Sequence, residues 1–380
     1  MRICIMTFWW SADNYGQLLQ AYALSQYLKN QGHQVELIDY GYLHHPVMRF
    51  GERVLKLCNG AARYEKTYPR DFDRFRADHL TFTLRKYRTF ASLAKNPPQA
   101  DMLICGSDQV WHYRAFGLKM FVQWYTNTYM LNFGRPDCIR LAYAASLGVT
   151  KILPEEEAMI GGKLKRFSGI GLREKASVSM IAGVASSEVQ WVPDPTMLLV
   201  SQAFDRLCSD VKVEKPAYFV YYLGNRSAMK GQDIIKVLRD EGKDYAYTSS
   251  QFENDYEANR APTIGQWISL IKHAGTIITN SFHGIVFAIT YQKDFLYVPL
   301  MSELAGTDTR ILSLFERLGI TGRALKTPQD VWQAIHNAPA PIDWSQVSQK
   351  MTIFRQEGTA FLTRYIGTES SGSGSSLGAE

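Results

Sequence analysis

Five cysteines in 380 residues are too few, and too scattered, to staple a fold. Cys4, Cys58, Cys105, Cys138 and Cys208 are odd in number and contain no Cys-x-x-Cys pair, which excludes a disulfide framework and a zinc site. Cys4 and Cys105 fall in predicted buried strands, the usage of a reducing compartment. Uninterrupted apolar runs of membrane-spanning length are missing too. The N-terminus enters a strand and a helix directly, without a charged leader, apolar core and cleavage site. These absences predict a cytoplasmic protein, attached to a membrane at most peripherally at its inner face. Neither His-Glu-x-x-His nor Gly-x-Gly-x-x-Gly occurs. Catalysis without a metal or resident cofactor is therefore expected, and a dinucleotide fold is not read.

What is present is ordinary for a globular protein: 46% apolar and 21% charged residues. The length allows two domains, and strand-like and helix-like segments alternate from end to end, which argues for α/β layers. The net charge of +6 is concentrated, because residues 49–88 hold eleven Lys/Arg against five acids and the remainder balances. Such a stretch is either a solvated helical face or a surface for an acidic partner such as an anionic membrane. Nucleic acid is disfavoured, since no reading motif accompanies the charge.

Residues 3–7 and 35–39 read as strands around a helix ended by Gly32, a βαβ unit whose first loop is Ser11-Ala12-Asp13-Asn14-Tyr15-Gly16. The basic, aromatic segment follows and is expected to form inserted helices. A buried strand over 101–105 runs into Gly106-Ser107-Asp108-Gln109-Val110-Trp111, residues that either cap a helix or meet a ligand. Strands over 140–146 and 167–172 come next, with Arg173 at the carboxyl end of the second. An arginine there is a candidate clamp for phosphate or carboxylate, or it simply pairs with Glu174 at the surface. Val192-Pro193-Asp194-Pro195 closes the first half, and the polar stretch 208–216 marks a boundary. The domains expected are 1–210 and 211–343, then a helix over 344–366 that crosses back, and a tail over 367–380 of linker composition.

The second half is arranged around Thr276-Ile277-Ile278-Thr279-Asn280-Ser281-Phe282-His283-Gly284. A β-branched run stops at Asn280, and helical spacing resumes beyond Gly284. Free N–H groups and the positive dipole end at such a helix start suit an anion. A histidine beside it can move a proton, or it only packs. Its position at a strand's carboxyl end, where open α/β sheets bind ligands, favours function.

Four ordered motifs resemble the polysaccharide pyruvyl transferase family: Asp13-Asn14-Tyr15-Gly16 with Leu19-Gln20-Ala21-Tyr22; Gly106 to Trp111; Leu172-Arg173-Glu174 with Pro193-Asp194-Pro195-Thr196; and Ser281-Phe282-His283-Gly284. The resemblance implies a GT-B-like fold, two Rossmann-like domains facing across a cleft, each a parallel sheet flanked by helices. It also implies phosphoenolpyruvate as donor and a sugar of a cell-surface glycan, lipid-linked in some cases, as acceptor. His283 is then the general acid and Arg173 its catalytic partner, with Ser281 and Gly284 donor-binding. The second donor cation is Arg310 by position, with Lys293 as the alternative. Asn14, Tyr15, Asp108 and Trp111 are expected on the acceptor side, Trp111 as a sugar-stacking face or else as core. A nucleotide-sugar glycosyltransferase of the same fold and a non-catalytic glycan or phosphate binder are the rival readings.

Overall fold

The computed structural model describes residues 1–41, 70–116, 119–149, 151–208, 211–224, 227, 229–250, 261–300 and 305–367. Cys58, residues 49–69 of the basic segment and the tail from 368 lie outside them.

The first half begins with β1 (Arg2–Met6), α1 (Tyr15–Asn30) and β2 (Gln34–Leu37). It continues through α2 (Phe72–His79), α3 (Phe90–Lys95), β3 (Met102–Cys105), α4 (Lys119–Tyr129) and β4 (Ile139–Ala145). Then come α5 (Pro154–Leu164), β5 (Gly169–Leu172), α6 (Lys175–Ala182), β6 (Val189–Trp191) and α7 (Ser201–Asp205). The strands form one parallel six-stranded sheet in the order β2-β1-β3-β4-β5-β6. Strands such as Met102-Leu103-Ile104-Cys105 are buried on both faces, as helix-covered parallel strands must be. Burial pushes the Cys4 thiol up to about 12, so this cysteine is a protonated core residue.

The second half holds β7 (Tyr218–Leu223), α8 (Gly231–Asp240), β8 (Tyr245–Ser250), α9 (Ile264–His273) and β9 (Thr276–Thr279). After them come α10 (Phe282–Thr290), β10 (Asp294–Tyr297), α11 (Ala305–Leu318), α12 (Pro328–His336) and α13 (Trp344–Ile366). Its four strands are again parallel, in the order β10-β9-β7-β8. Thr263 and Thr327 start α9 and α12 with reciprocal capping boxes to Gln266 and Asp330.

Two features differ from the sequence expectation. The edge strand β6 comes just before the closing Val192-Pro193-Asp194-Pro195 and is not read from the sequence, because three residues are too few for a strand pattern to register. A bulge interrupts β4 between Ala142 and Ala145, with Ala144 at φ 55°, and re-aims the end of the strand toward the loop after β3. Helix α13 touches both halves. Its Phe361 ring lies 6.2 Å from that of Tyr143 on β4, Arg355 donates to the Met197 carbonyl at 2.8 Å, and Ser348 receives a hydrogen bond from Gln292 at 3.1 Å. No described helix is long and apolar enough to cross a membrane.

Candidate active site

In parallel sheets every strand presents its carboxyl end to the same edge, and four such ends in the first sheet build one polar cluster. Thr7, after β1, donates from its hydroxyl to the Ser107 carbonyl at 2.9 Å, which fixes the loop after β3. Ser107 donates to Asp194 Oδ2 at 2.7 Å. Asp194, after β6, also accepts from the Thr196 backbone at 3.0 Å and the Thr196 hydroxyl at 2.7 Å, both on Oδ1. Arg173, after β5, anchors its own N–H on the Ala145 carbonyl at 3.2 Å. Its Nη1 donates to Asp194 Oδ2 at 3.1 Å and to Ser107 Oγ at 3.3 Å, while Nη2 stands 3.6 Å from Asp108 Oδ1. Glu174 does not pair with Arg173 at the surface; both are buried, and Ser146 and Ser177 donate to the Glu174 carboxylate.

The second half supplies His283 from the first turn of α10. Ser281 caps that helix, accepting from Gly284 N at 3.2 Å, and donates its own N–H to Thr279 Oγ1 at 3.0 Å. Gly284 is required because a Cβ there would lie 2.7 Å from Thr279 Oγ1, so the helix start rests directly on β9. These bonds occupy Ser281 and Gly284 in seating His283. The imidazole Nε2 stands 3.6 Å from Asp194 Oδ2. On the other side a Cβ added to Gly16 of α1 would fall 2.0 Å from His283 Nδ1. His283 is thus wedged where the halves meet, between a glycine and a carboxylate of the first half.

Charge balances closely at this point. Burial pushes the Asp194 carboxyl up, but the charges of His283 and Arg173 and the Ser107 hydrogen bond outweigh it and hold the group well below the usual carboxylate range. Burial likewise opposes the charge on Arg173, and Asp194, Asp108 and Glu174 more than restore it. Arg310 on α11 reaches the same place: its guanidinium lies 5.5 Å from the centre of the Phe282 ring, and that of Arg173 lies 5.1 Å from it. Burial and the neighbouring Arg173 push Arg310 down to about 10, still cationic at neutral pH. Arg173 Nε and Nη2 and His283 Nε2 are buried without a hydrogen-bond partner among the described residues.

Of the sequence candidates, Arg173, His283, Ser281, Gly284, Asp108 and Arg310 come together here. Lys293 does not. It follows α10 and precedes β10, at the amino edge of the second sheet, because a helix returns the chain to the end opposite the one it left. Trp111 is core and not a stacking face: it is 1% exposed, donates to the Tyr129 carbonyl at 3.1 Å and meets Phe167 edge-on. Tyr15 is also fully buried, stacked on Trp267 of α9 with ring centres 5.1 Å apart. Asn14 serves as the α1 cap, accepting from Gln17 N at 3.2 Å. Two arginines of the basic segment turn inward: Arg76 bonds the Trp9 and Ser11 carbonyls, and Arg70 reaches Tyr15. Asp194 and Gly16 stand in the family motifs with no site role legible in the sequence, and Ser107 only as part of a loop that caps a helix or meets a ligand. The Pro193-Asp194-Pro195-Thr196 motif at a strand end was the available signal. Half-buried Phe8, Trp9 and Trp10 lie just beyond β1, with no motif in the sequence to mark them.

A family model described as polysaccharide pyruvyl transferase matches residues 14–300. No curated protein sequence matches the chain. Among solved structures, a UDP-GlcNAc 2-epimerase from Methanocaldococcus jannaschii in complex with UDP-GlcNAc and UDP aligns with a TM-score of 0.52 at 11% identity, over 94% of this chain and 100% of that one. The S. aureus MnaA–UDP co-structure aligns with a TM-score of 0.51 at 13% identity, over 97% of each chain. At such identities the likeness concerns architecture alone, and that architecture is of the GT-B kind.

Proposed function

Because the chain belongs to the polysaccharide pyruvyl transferase family, we propose that it transfers the enolpyruvyl unit of phosphoenolpyruvate to a sugar of a cell-surface glycan precursor, closing a pyruvate ketal and releasing phosphate. One observation supports this reading: Arg173 and His283 flank Asp194 from opposite halves, and Arg173 Nε and Nη2 and His283 Nε2 are buried there without a hydrogen-bond partner among the described residues. A buried donor left unpaired costs about 1–3 kcal/mol, and a small polyanion would satisfy several at once. Arg310, 5.5 Å from the centre of the Phe282 ring, supplies the second cation. Arg173 and Arg310 then neutralise the carboxylate and phosphate of the donor.

The chemistry needs one acid. His283 gives a proton from Nε2 to the donor's methylene carbon, which becomes a methyl group, and oxocarbenium character develops at the central carbon. One sugar hydroxyl adds there, the C–O bond to phosphate breaks, and a second hydroxyl adds to close the ketal. Of the two hydroxyl protons released, one restores His283 and the other leaves with phosphate. Asp194, 3.6 Å from Nε2, is placed to be the counter-charge of the imidazolium that this step requires. For the acceptor, the aromatic run Phe8-Trp9-Trp10 and the carboxylate of Asp108 replace Trp111 and Tyr15 as candidates, the first as a sugar face. No step in this scheme calls for a metal or a resident cofactor. Buried free thiols at Cys4, Cys105 and Cys138 are what a reducing cytoplasm preserves. Peripheral contact with the membrane bearing a lipid-linked acceptor belongs to the same proposal.

The test is incubation with phosphoenolpyruvate and a panel of lipid-linked and aryl glycosides, reading phosphate release and product mass. Phosphate release with a ketal product is expected. Release of a nucleotide from a nucleotide sugar, with phosphoenolpyruvate untouched, would overturn the reading.

A further inference from the structure

Arg70 belongs by sequence to the basic stretch, yet its side chain is not offered to a partner. It is 4% exposed. Nε donates to the Tyr15 hydroxyl at 3.0 Å, and Nη2 donates to the Ser249 carbonyl at the end of β8. The guanidinium carbon also lies 5.7 Å from the centre of the Tyr15 ring. Tyr15 donates onward to the Pro262 carbonyl at 2.6 Å and lies flat on Trp267, with an interplanar angle of 9°. One residue further along α1 is Gly16, the surface on which the His283 ring rests.

We propose that Arg70 is a positioning residue for His283. It ties the start of α1 to the carboxyl edge of the second sheet and so sets how closely Gly16 and the imidazole approach. A guanidinium suits this task because its planar fork holds two acceptors at fixed angles, whereas an ammonium is a single point charge. The Ser250 hydroxyl, donating to the Asp13 carbonyl, runs between the same two elements two residues ahead of Tyr15. A tie made by one side chain across two halves transmits a displacement directly to the acid, where an error of about 1 Å costs about a hundredfold in rate. The kinetic consequence rests on the proposed function; the geometric one does not.

Arg70→Lys and Tyr15→Phe test it together, since the second removes the shared hydroxyl and keeps the aromatic stack. In the ligand-free protein both substitutions are expected to shift the His283 ring resonances in 15N-resolved NMR spectra. In phosphate release from phosphoenolpyruvate, each is expected to lower kcat about tenfold or more, with KM for the donor moving less than about threefold. The double variant should be no slower than the slower single one, because both break the same tie. Unchanged His283 resonances in both variants, or losses that multiply, would overturn the proposal. If the wild type turns over no phosphoenolpyruvate, the functional reading fails and the NMR arm still decides the role of Arg70. Should Arg70→Lys not fold, Tyr15→Phe carries the same readouts.

Discussion

Gly16 and His283 explain each other. A glycine early in a helix is costly in conformational entropy, and here it leaves the space that the imidazole fills. Gly16→Ala would set a Cβ 2.0 Å from Nδ1, against the ring atom and not against the end of a flexible chain. The ring must then leave its place beside Asp194. We expect phosphate release to fall at least about a hundredfold, while the urea midpoint reports a stability loss of only about 1–3 kcal/mol. The sequence displayed both residues inside motifs, and it made His283 legible because a strand end and helix start flank it. Gly16 and Asp194 were not legible as site residues, since their partners are 267 and 89 positions away in the chain. Trp111 illustrates the opposite error: a tryptophan beside a ligand-like loop invites a stacking role, but its fate depends on Phe167 and Tyr129, which close over it.

At the level of elements, strand ends did most of the predicting. Apolar runs ending in Ser, Asp, Arg or Pro marked the carboxyl edges that meet at the site, and local pattern sufficed for that. The three-residue β6 and the bulge in β4 escaped because both are defined by pairing with a neighbour and not by local sequence. The return of α13 is closely packed at one glycine. A Cβ at Gly358 would meet the Tyr143 hydroxyl and Pro193 Cγ, each at 2.6 Å. Neither the buried ring nor the proline can yield freely, so Gly358→Ala should destabilise the protein by about 1–3 kcal/mol, read as a lowered urea midpoint. Because Pro193 adjoins Asp194, the same variant should also lower the rate of phosphate release. A midpoint equal to wild type would show that α13 gives way at no cost.

Across the whole molecule, the two halves meet through charge as well as packing. Asp194 holds Arg173 within one half and faces His283 of the other, and its carboxyl lies well below its unfolded value. A depressed carboxyl stabilises above the unfolded value, near 3.9, and loses that contribution as pH falls toward the folded one. Unfolding free energy should therefore drop in the wild type by about 1 kcal/mol more than in Asp194→Asn between pH 5 and pH 3, because only the wild type carries this group. Parallel urea titrations at the two pH values would show it; equal slopes would mean that Asp194 is not held this way. On the proposed function, Arg173 and Asp194 from one half and His283 from the other form a single donor site with one acid. Phosphate release from phosphoenolpyruvate and a glycoside acceptor by wild type and His283→Gln, with calorimetric donor binding alongside, tests that site. A loss of about 10²–10⁴ in rate is expected for His283→Gln, with donor binding retained within a few-fold. A variant that releases phosphate as fast as wild type would contradict it.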